Sequence, residues 1–171
     1  MASACETTDE LIDLIYAILL GEASWQQFLD TLAAGMPNGK TVMVMHGITD
    51  PGEGYVPLSA GFDEKAIETY NAHYVDLNVW QPPLTRQKAG MGFTDDELFP
   101  SEELVKSEFF NDYLIPNEIH MMACAKIGSD RRYSFSVAAL GARADTRLKA
   151  EMADRLTGLG PHLKRAFDFH R

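Results

Sequence analysis

Cationic side chains are scarce in this sequence: Lys and Arg together number 15 against 25 Asp and Glu in 171 residues, a formal net charge of −10. That deficit opposes phosphate backbones and anionic membranes as direct partners, because neither surface attracts an acidic protein. No direct nucleic-acid contact by this chain is expected. Cysteine is nearly absent too. Cys5 and Cys124 are too few and too far apart for a disulfide framework or a zinc cluster, and both read as free thiols, Cys124 as a small packed hydrophobe. No apolar run approaches the roughly 18 to 20 residues of a membrane span. Met1 to Glu10 lacks a basic region followed by an apolar core. The expectation is a cytoplasmic protein without membrane contact.

Internal repeats, low-complexity tracts, a phosphate-cradling glycine loop and a glycine-flanked nucleophile are all missing, so neither a nucleotide enzyme nor a hydrolase is supported. His46, His73, His120, His162 and His170 show no metal-ligand spacing. No metal or other cofactor is expected. Asp95, Asp96 and Glu97, like Glu102 and Glu103, offer paired carboxylates, but acidic runs at loop ends and first helical turns are usually solvated or matched to a helix dipole. The chain reads as a non-enzyme.

What is present is ordinary globular composition, 46% hydrophobic, enough for one good core and short for two, so residues 1–171 are expected to form a single domain. Thr7 and Glu10 match a capping box ahead of Leu11, Leu14, Ile15, Ile18 and Leu19; Ser24 and Gln27 repeat it ahead of Trp25, Phe28, Leu29 and Leu32. Two helices should open the chain. Thr41 to His46 and Tyr55 to Ala60 read as strands, and Asp63, flanked by Phe62 and Ile67, should cap a helix over Glu64 to Tyr74. From Ser101 to Pro116 a further helix is expected, with Val105, Phe109 and Tyr113 along one side. Ile119 to Ile127 and Tyr133 to Ala139 alternate across the turn at Gly128 to Arg132, as an antiparallel hairpin does. Asp145 caps a last helix striped by Leu148, Met152, Leu156, Leu159 and Leu163, which Gly158, Gly160 and Pro161 should kink or break. The order predicts an α+β fold, a central antiparallel sheet covered by helices.

The most informative stretch is Ile67 to Pro83, where Tyr70, His73, Tyr74, Asp76, Asn78 and Trp80 crowd before Pro82 and Pro83. Side chains that join an apolar body to one polar tip suit a concave site that orients a small molecule; they suit a core equally well. Residues 75–93 have no period and read as either a functional covering loop or a mobile one. Phe109 and Tyr113 supply a second aromatic wall. The candidate ligand-binding residues are Tyr70, Tyr74, Asp76, Asn78, Trp80, Phe93, Phe109, Tyr113 and Met121. Alternatively the stripe of the last helix packs against a second copy, making the chain a ligand-free dimerisation module.

The segments HYVDLNVWQPPL (His73 to Leu84), SEFFNDYLIPNEIH (Ser107 to His120) and LGPHLKRAFDFHR (Leu159 to Arg171), in that order and at these separations, resemble the N-terminal sensory region of LuxR-type helix-turn-helix transcriptional regulators. The resemblance implies a GAF-, PAS- or autoinducer-domain-like sandwich holding an unknown small molecule, and a DNA-reading module that this chain lacks; a homodimer through the striped C-terminal helix is the expected assembly. Where autoinducer receptors carry an Asp-Pro pair, whose Asp accepts a hydrogen bond from the ligand amide, this sequence has Asn78-Val79. The resemblance therefore does not carry homoserine-lactone recognition with it.

Overall fold

A computed structural model describes residues 4–170, with side chains from residue 8 onward. Five antiparallel strands form one sheet in the order β2-β1-β5-β4-β3. They are β1 (Lys40–Gly47), β2 (Tyr55–Ala60), β3 (Gly92–Thr94), β4 (Met121–Ser129) and β5 (Tyr133–Gly141). The centre of the sheet is the predicted hairpin: Met121 faces Gly141 and Ser129 faces Ser134, with one bulge between Lys126 and Gly128. In its turn, the Asp130 carboxylate accepts from the amides of Arg132 and Tyr133, which fixes the reversal.

One face of the sheet carries three helices, α1 (Ala4–Leu19), α2 (Trp25–Ala34) and α7 (Thr146–Phe169). The expected capping box at Ser24 is formed, with Ser24 N donating to Gln27 Oε1 at 2.8 Å and Gln27 N to Ser24 Oγ at 3.2 Å. The box expected at Thr7 is not a start, because α1 already begins at Ala4; the Thr7 side chain and Cys5 lie outside the described side chains. Leu11, Ile15, Phe28, Leu29, Leu32, Met152, Leu156, Leu159 and Leu163 close a core against Met121, Ala123, Ala125, Val137 and Ala139. The leucine stripe of α7 is thus consumed inside the chain, with Leu156 and Leu159 at 0% exposure, and is not a surface for a second copy.

The other face is covered by α3 (Glu64–Ala72), the short α4 (Gln81–Thr85), α5 (Asp95–Leu98), α6 (Ser101–Leu104) and a π-helical turn, Phe109–Leu114. Val42, Val44, Met122, Cys124 and Leu140 meet this layer from the sheet. β4 is therefore buried on both faces, whereas its sequence alternation suggested one.

Three expectations change in detail. The helix expected to reach Tyr74 stops at Ala72, and Tyr74 begins a 3-10 turn. Residues 75–93 are not a structureless loop, since they hold that turn, α4 and the start of β3. The helix expected over Ser101 to Pro116 is divided: Val105 is 49% exposed, and Ser107 Oγ donates to Leu104 O at 2.7 Å and accepts from Phe110 N at 3.1 Å. By contrast α7 runs on through Pro161 without a break, its ring on the exposed side of the helix.

Candidate functional site: an apolar cavity behind an aromatic wall

Between the sheet and the layer of α3, α4 and the π-helical turn lies a cavity. Each wall has an identifiable support. α3 is capped by Asp63, whose carboxylate accepts from Ala66 N at 2.7 Å, and Asn71 Oδ1 ties it to β2 by accepting from Val56 N at 2.9 Å. The π-helical turn hangs from α3 through the Tyr113 hydroxyl, which donates to Ala66 O at 3.0 Å. Lys126 reaches from β4 to hold the end of α4, Nζ donating to Thr85 O at 2.8 Å. The wider turn matters for aim, because π spacing buries Phe109, Tyr113 and Leu114 together, which an α-helix would spread over a wider arc.

Aromatic packing fills most of this layer. Trp80 meets Phe109 edge-on at 5.3 Å between centroids, Phe109 lies 5.8 Å from Tyr113, and Tyr70 and Tyr74 flank Tyr113 at 5.6 and 4.9 Å. The void left is small, with about 50 Å³ open to the centres of water-sized molecules. That is room for a few waters at roughly 10 to 15 Å³ each.

Polar groups on the wall form a short neutral chain. Asn78 Nδ2 donates to the Tyr70 hydroxyl at 2.9 Å, and Asn78 Oδ1 accepts from the Trp80 amide at 3.0 Å. Desolvation pushes Tyr70 up to about 12, with the Asn78 hydrogen bond a smaller opposing influence, so it stays a neutral hydroxyl. Trp80 is only 4% exposed, yet its indole N–H has no acceptor. Buried Gln81 and Ser136 complete the polar lining, and among the described residues no Asp, Glu, Lys, Arg or His lines the cavity. Cys124, also on the lining, has its thiol pushed well above its ordinary range, chiefly by burial. It is no nucleophile in this state. No group of three or more His, Cys, Asp or Glu side chains among the described residues is placed to hold a metal ion.

Of the nine residues singled out in the sequence, Tyr70, Asn78, Trp80, Phe109 and Tyr113 line the cavity. Tyr74 and Phe93 sit behind the wall in the same packed layer. Asp76 points instead to a shallow outer groove with Leu77, Val79, Pro82, Pro83, Arg86 and Phe99; Asn78 lines groove and cavity alike. Met121 is on the wrong face, packed in the helix-side core, and its neighbour Met122 lines the cavity in its place. Sequence reasoning also passed over Gln81, Leu84, Cys124 and Ser136. Ser134 and Ser136, the polar members of the β5 alternation, are 2% and 3% exposed.

The paired carboxylates have a structural role. Lys149 of α7 lies 2.8 Å from both Asp95 Oδ1 and Asp96 Oδ1, while Asp95 Oδ2 accepts from Met122 N at 3.0 Å. Burial raises the pKa of Asp95 despite Lys149, whereas the Lys149 ammonium first and Asp95 second hold Asp96 well below the usual carboxylate range. Burial alone would lower Lys149, but the two carboxylates outweigh it and raise its pKa.

A second attachment joins the same segment to α7. Gly90, at φ +93°, places its carbonyl so close to Gly160 that a Cβ there would come within 1.9 Å of it. Two residues on, Gly92 N donates to Thr157 Oγ1 at 2.9 Å. The stretch that begins as cavity wall at Trp80 therefore ends strapped to the middle of α7.

No family model and no curated protein matches this sequence. Solved structures do. The LBD domain of VqsR from Pseudomonas aeruginosa superposes with a TM-score of 0.70 at 12% identity, over 99% of each chain. A phycoerythrobilin-bound GAF domain from a cyanobacterial phytochrome gives 0.58 at 11% identity, covering 95% of this chain and 94% of that one. The fold is GAF-like. The expected α+β sandwich is the one observed, and its cavity lies on the sheet face opposite the α1, α2 and α7 layer. Among the described residues, no helix is long and apolar enough to cross a membrane.

Proposed function

We propose that this chain is a non-catalytic, small-molecule-sensing regulatory domain of a LuxR-type transcriptional regulator. In that reading the DNA-reading module lies elsewhere and α7 carries the output. One observation carries it: the segment that walls the cavity at Trp80 and Gln81 is the segment strapped to α7 at Gly160, Thr157 and Lys149. The order of the three sequence motifs and the likeness to the VqsR LBD domain support the regulator family. The fold alone would not, since GAF-like sandwiches serve many proteins.

The mechanism follows from the volumes. With about 50 Å³ free, the cavity is smaller than the 150 Å³ that accepts benzene in an engineered core, so a ligand enters only as the wall gives way. Trp80 to Leu84 is the part that yields in this reading, being one short helix held at its two ends by hydrogen bonds, from the Trp80 amide to Asn78 and from Lys126 to Thr85 O. Its displacement pulls on Gly90 to Asp96 and so on α7. A ligand that binds the opened form better than the closed one shifts the position of the helix by that difference in affinity and no more. A bilin of the kind held by the GAF neighbour is far larger than this cavity. The competing reading, a ligand-free dimerisation module, would need a surface other than the α7 stripe, since Met152, Leu156, Leu159 and Leu163 are buried in the chain.

Thermal-shift screening of uncharged metabolites, followed by native mass spectrometry of the hits, tests the proposal. Ala138→Leu fills the cavity from β5. A true ligand raises the melting temperature of the parent protein and not of the folded Ala138→Leu variant. A ligand that stabilises both equally binds elsewhere and defeats the reading.

A further inference from the structure

We propose a second small-molecule site in this chain, on the helix-side face of the sheet, for an uncharged apolar ring system larger than benzene. A cavity of about 210 Å³ opens there, where α2 begins and α7 ends. Met43 and Met45 of β1 and Phe135 of β5 form its floor, and Leu163, Ala166 and Phe167 of α7 make one wall. Trp25, the first residue of α2, lines it as well. The sheet is the partition between this cavity and the one at Trp80, since Val44 and Ser136 line both.

The rings beside the void are engaged elsewhere. Trp25 packs edge-on against Phe28 at 5.7 Å between centroids, and Phe167 packs against Phe135 at 4.8 Å. Phe167 is also seated on Gly128, where a Cβ would come within 2.4 Å of its ring. Neither Trp25 nor Phe167 turns inward without losing those contacts. Among the described residues no Asp, Glu, Lys or Arg is on the lining, and His170, its one titratable side chain, belongs to an exposed residue. An ion would lose its hydration here and meet no buried counter-charge, so the occupant is uncharged. An engineered apolar cavity of about 150 Å³ takes benzene, which leaves space here for a fused second ring, and the flexible side chains of Met43 and Met45 let the floor adjust to its outline. Dispersion contacts with atoms that otherwise face a void supply the affinity. Because the last turns of α7 form a wall, occupancy bears directly on that helix, without the strap at Gly160.

Methionine methyl groups make the test direct. With the protein ¹³C-labelled at its methionine methyls, Met43 and Met45 report on this cavity and Met122 on the one at Trp80, and Met43→Leu and Met45→Leu assign the two signals. The probes are indane, benzene and indane-2-carboxylate. Indane is expected to move the Met43 and Met45 methyls by its ring current and to leave Met122 in place, in the parent and equally in Ala138→Leu, whose new side chain enters the other lining. Benzene, with three fewer carbons to bury, should bind at least about tenfold more weakly, and the carboxylate should not bind. Movement of Met122 in place of Met43 and Met45, or no movement at the solubility limit of indane, overturns the site; a carboxylate that binds as well as indane overturns its apolar character. Met43 and Met45 signals that change with protein concentration before any probe is added would show a second copy seated in the cavity, and the small-molecule assignment would fall. Failure here leaves the sensing cavity at Trp80 standing, because that reading is tested by ligands that Ala138→Leu excludes.

Discussion

At Asn78 a single amide does two jobs, holding the Tyr70 hydroxyl with its nitrogen and the Trp80 backbone with its oxygen. Asn78→Ala breaks both and leaves two buried groups unpaired, so a loss of about 2 to 4 kcal/mol is expected in urea unfolding, from roughly 1 to 2 per hydrogen bond. His46 gives a second residue-level prediction. Its ring is 3% exposed, Nδ1 lacks a partner, and burial holds its pKa below 6.5. A depressed folded pKa means that the unfolded chain takes up the proton first, so stability is full above pH 6.5 and falls as the pH drops below it toward the folded value. His46→Gln should flatten stability between pH 7 and pH 5 relative to the parent, measured by denaturation at each pH; an unchanged slope would place the dependence elsewhere. Residues of this kind were half legible. Tyr70, Asn78 and Trp80 stand out because side chains with an apolar body and a polar tip crowd before Pro82 and Pro83, and Phe109 and Tyr113 because they share one side of the next expected helix. Met121 and Met122 could not be told apart, because a central strand packed on both faces has apolar residues at both parities and alternation carries no direction.

Among the elements, α7 is where local rules and tertiary packing part. Gly160→Ala would ordinarily help a helix by about 0.5 to 1 kcal/mol, but here the new methyl collides with the Gly90 backbone, so it should destabilise the fold and loosen the strap. Gly158→Ala is the matched control: its nearest neighbour is a Thr8 methyl at 3.9 Å, and it should stabilise by about 0.5 to 1 kcal/mol. Opposite signs from two glycines one turn-half apart, read by thermal denaturation, would establish the close approach; equal signs would refute it. Lys149→Met strips the cation from Asp95 and Asp96. The fold should weaken by about 1 to 3 kcal/mol at neutral pH, below the 3 to 5 of a fully buried pair because Asp96 is half exposed. With the cation gone, burial is left holding the Asp95 carboxyl above its ordinary value, so the deficit should shrink as the pH falls toward 4. Helix and strand identities were legible from capping chemistry and periodicity. The π-helical turn and the unbroken passage through Pro161 were not, since one depends on how Phe109 and Leu114 are drawn onto a sheet and the other on which side of the helix the ring faces.

For the molecule as a whole, burial of the α7 stripe changes what a classical dimer probe would report. Leu156→Asp places a carboxylate in a fully enclosed position, and its expected effect is loss of folding by several kcal/mol, not dissociation of a folded dimer. The sandwich itself was readable from element order, and its sidedness was not, because one sheet separates two cores that have similar composition. In the proposed mechanism the cavity on one face is coupled to the helix on the other through Gly90 to Asp96. Amide hydrogen exchange with and without a saturating hit from the thermal-shift screen, one that the Ala138→Leu variant does not bind, tests it. Altered exchange is expected in three places at once, in α4, across β3 and along α7 from Ala153 to Pro161. Change confined to α4 and the π-helical turn, with α7 exchanging as before, would contradict it.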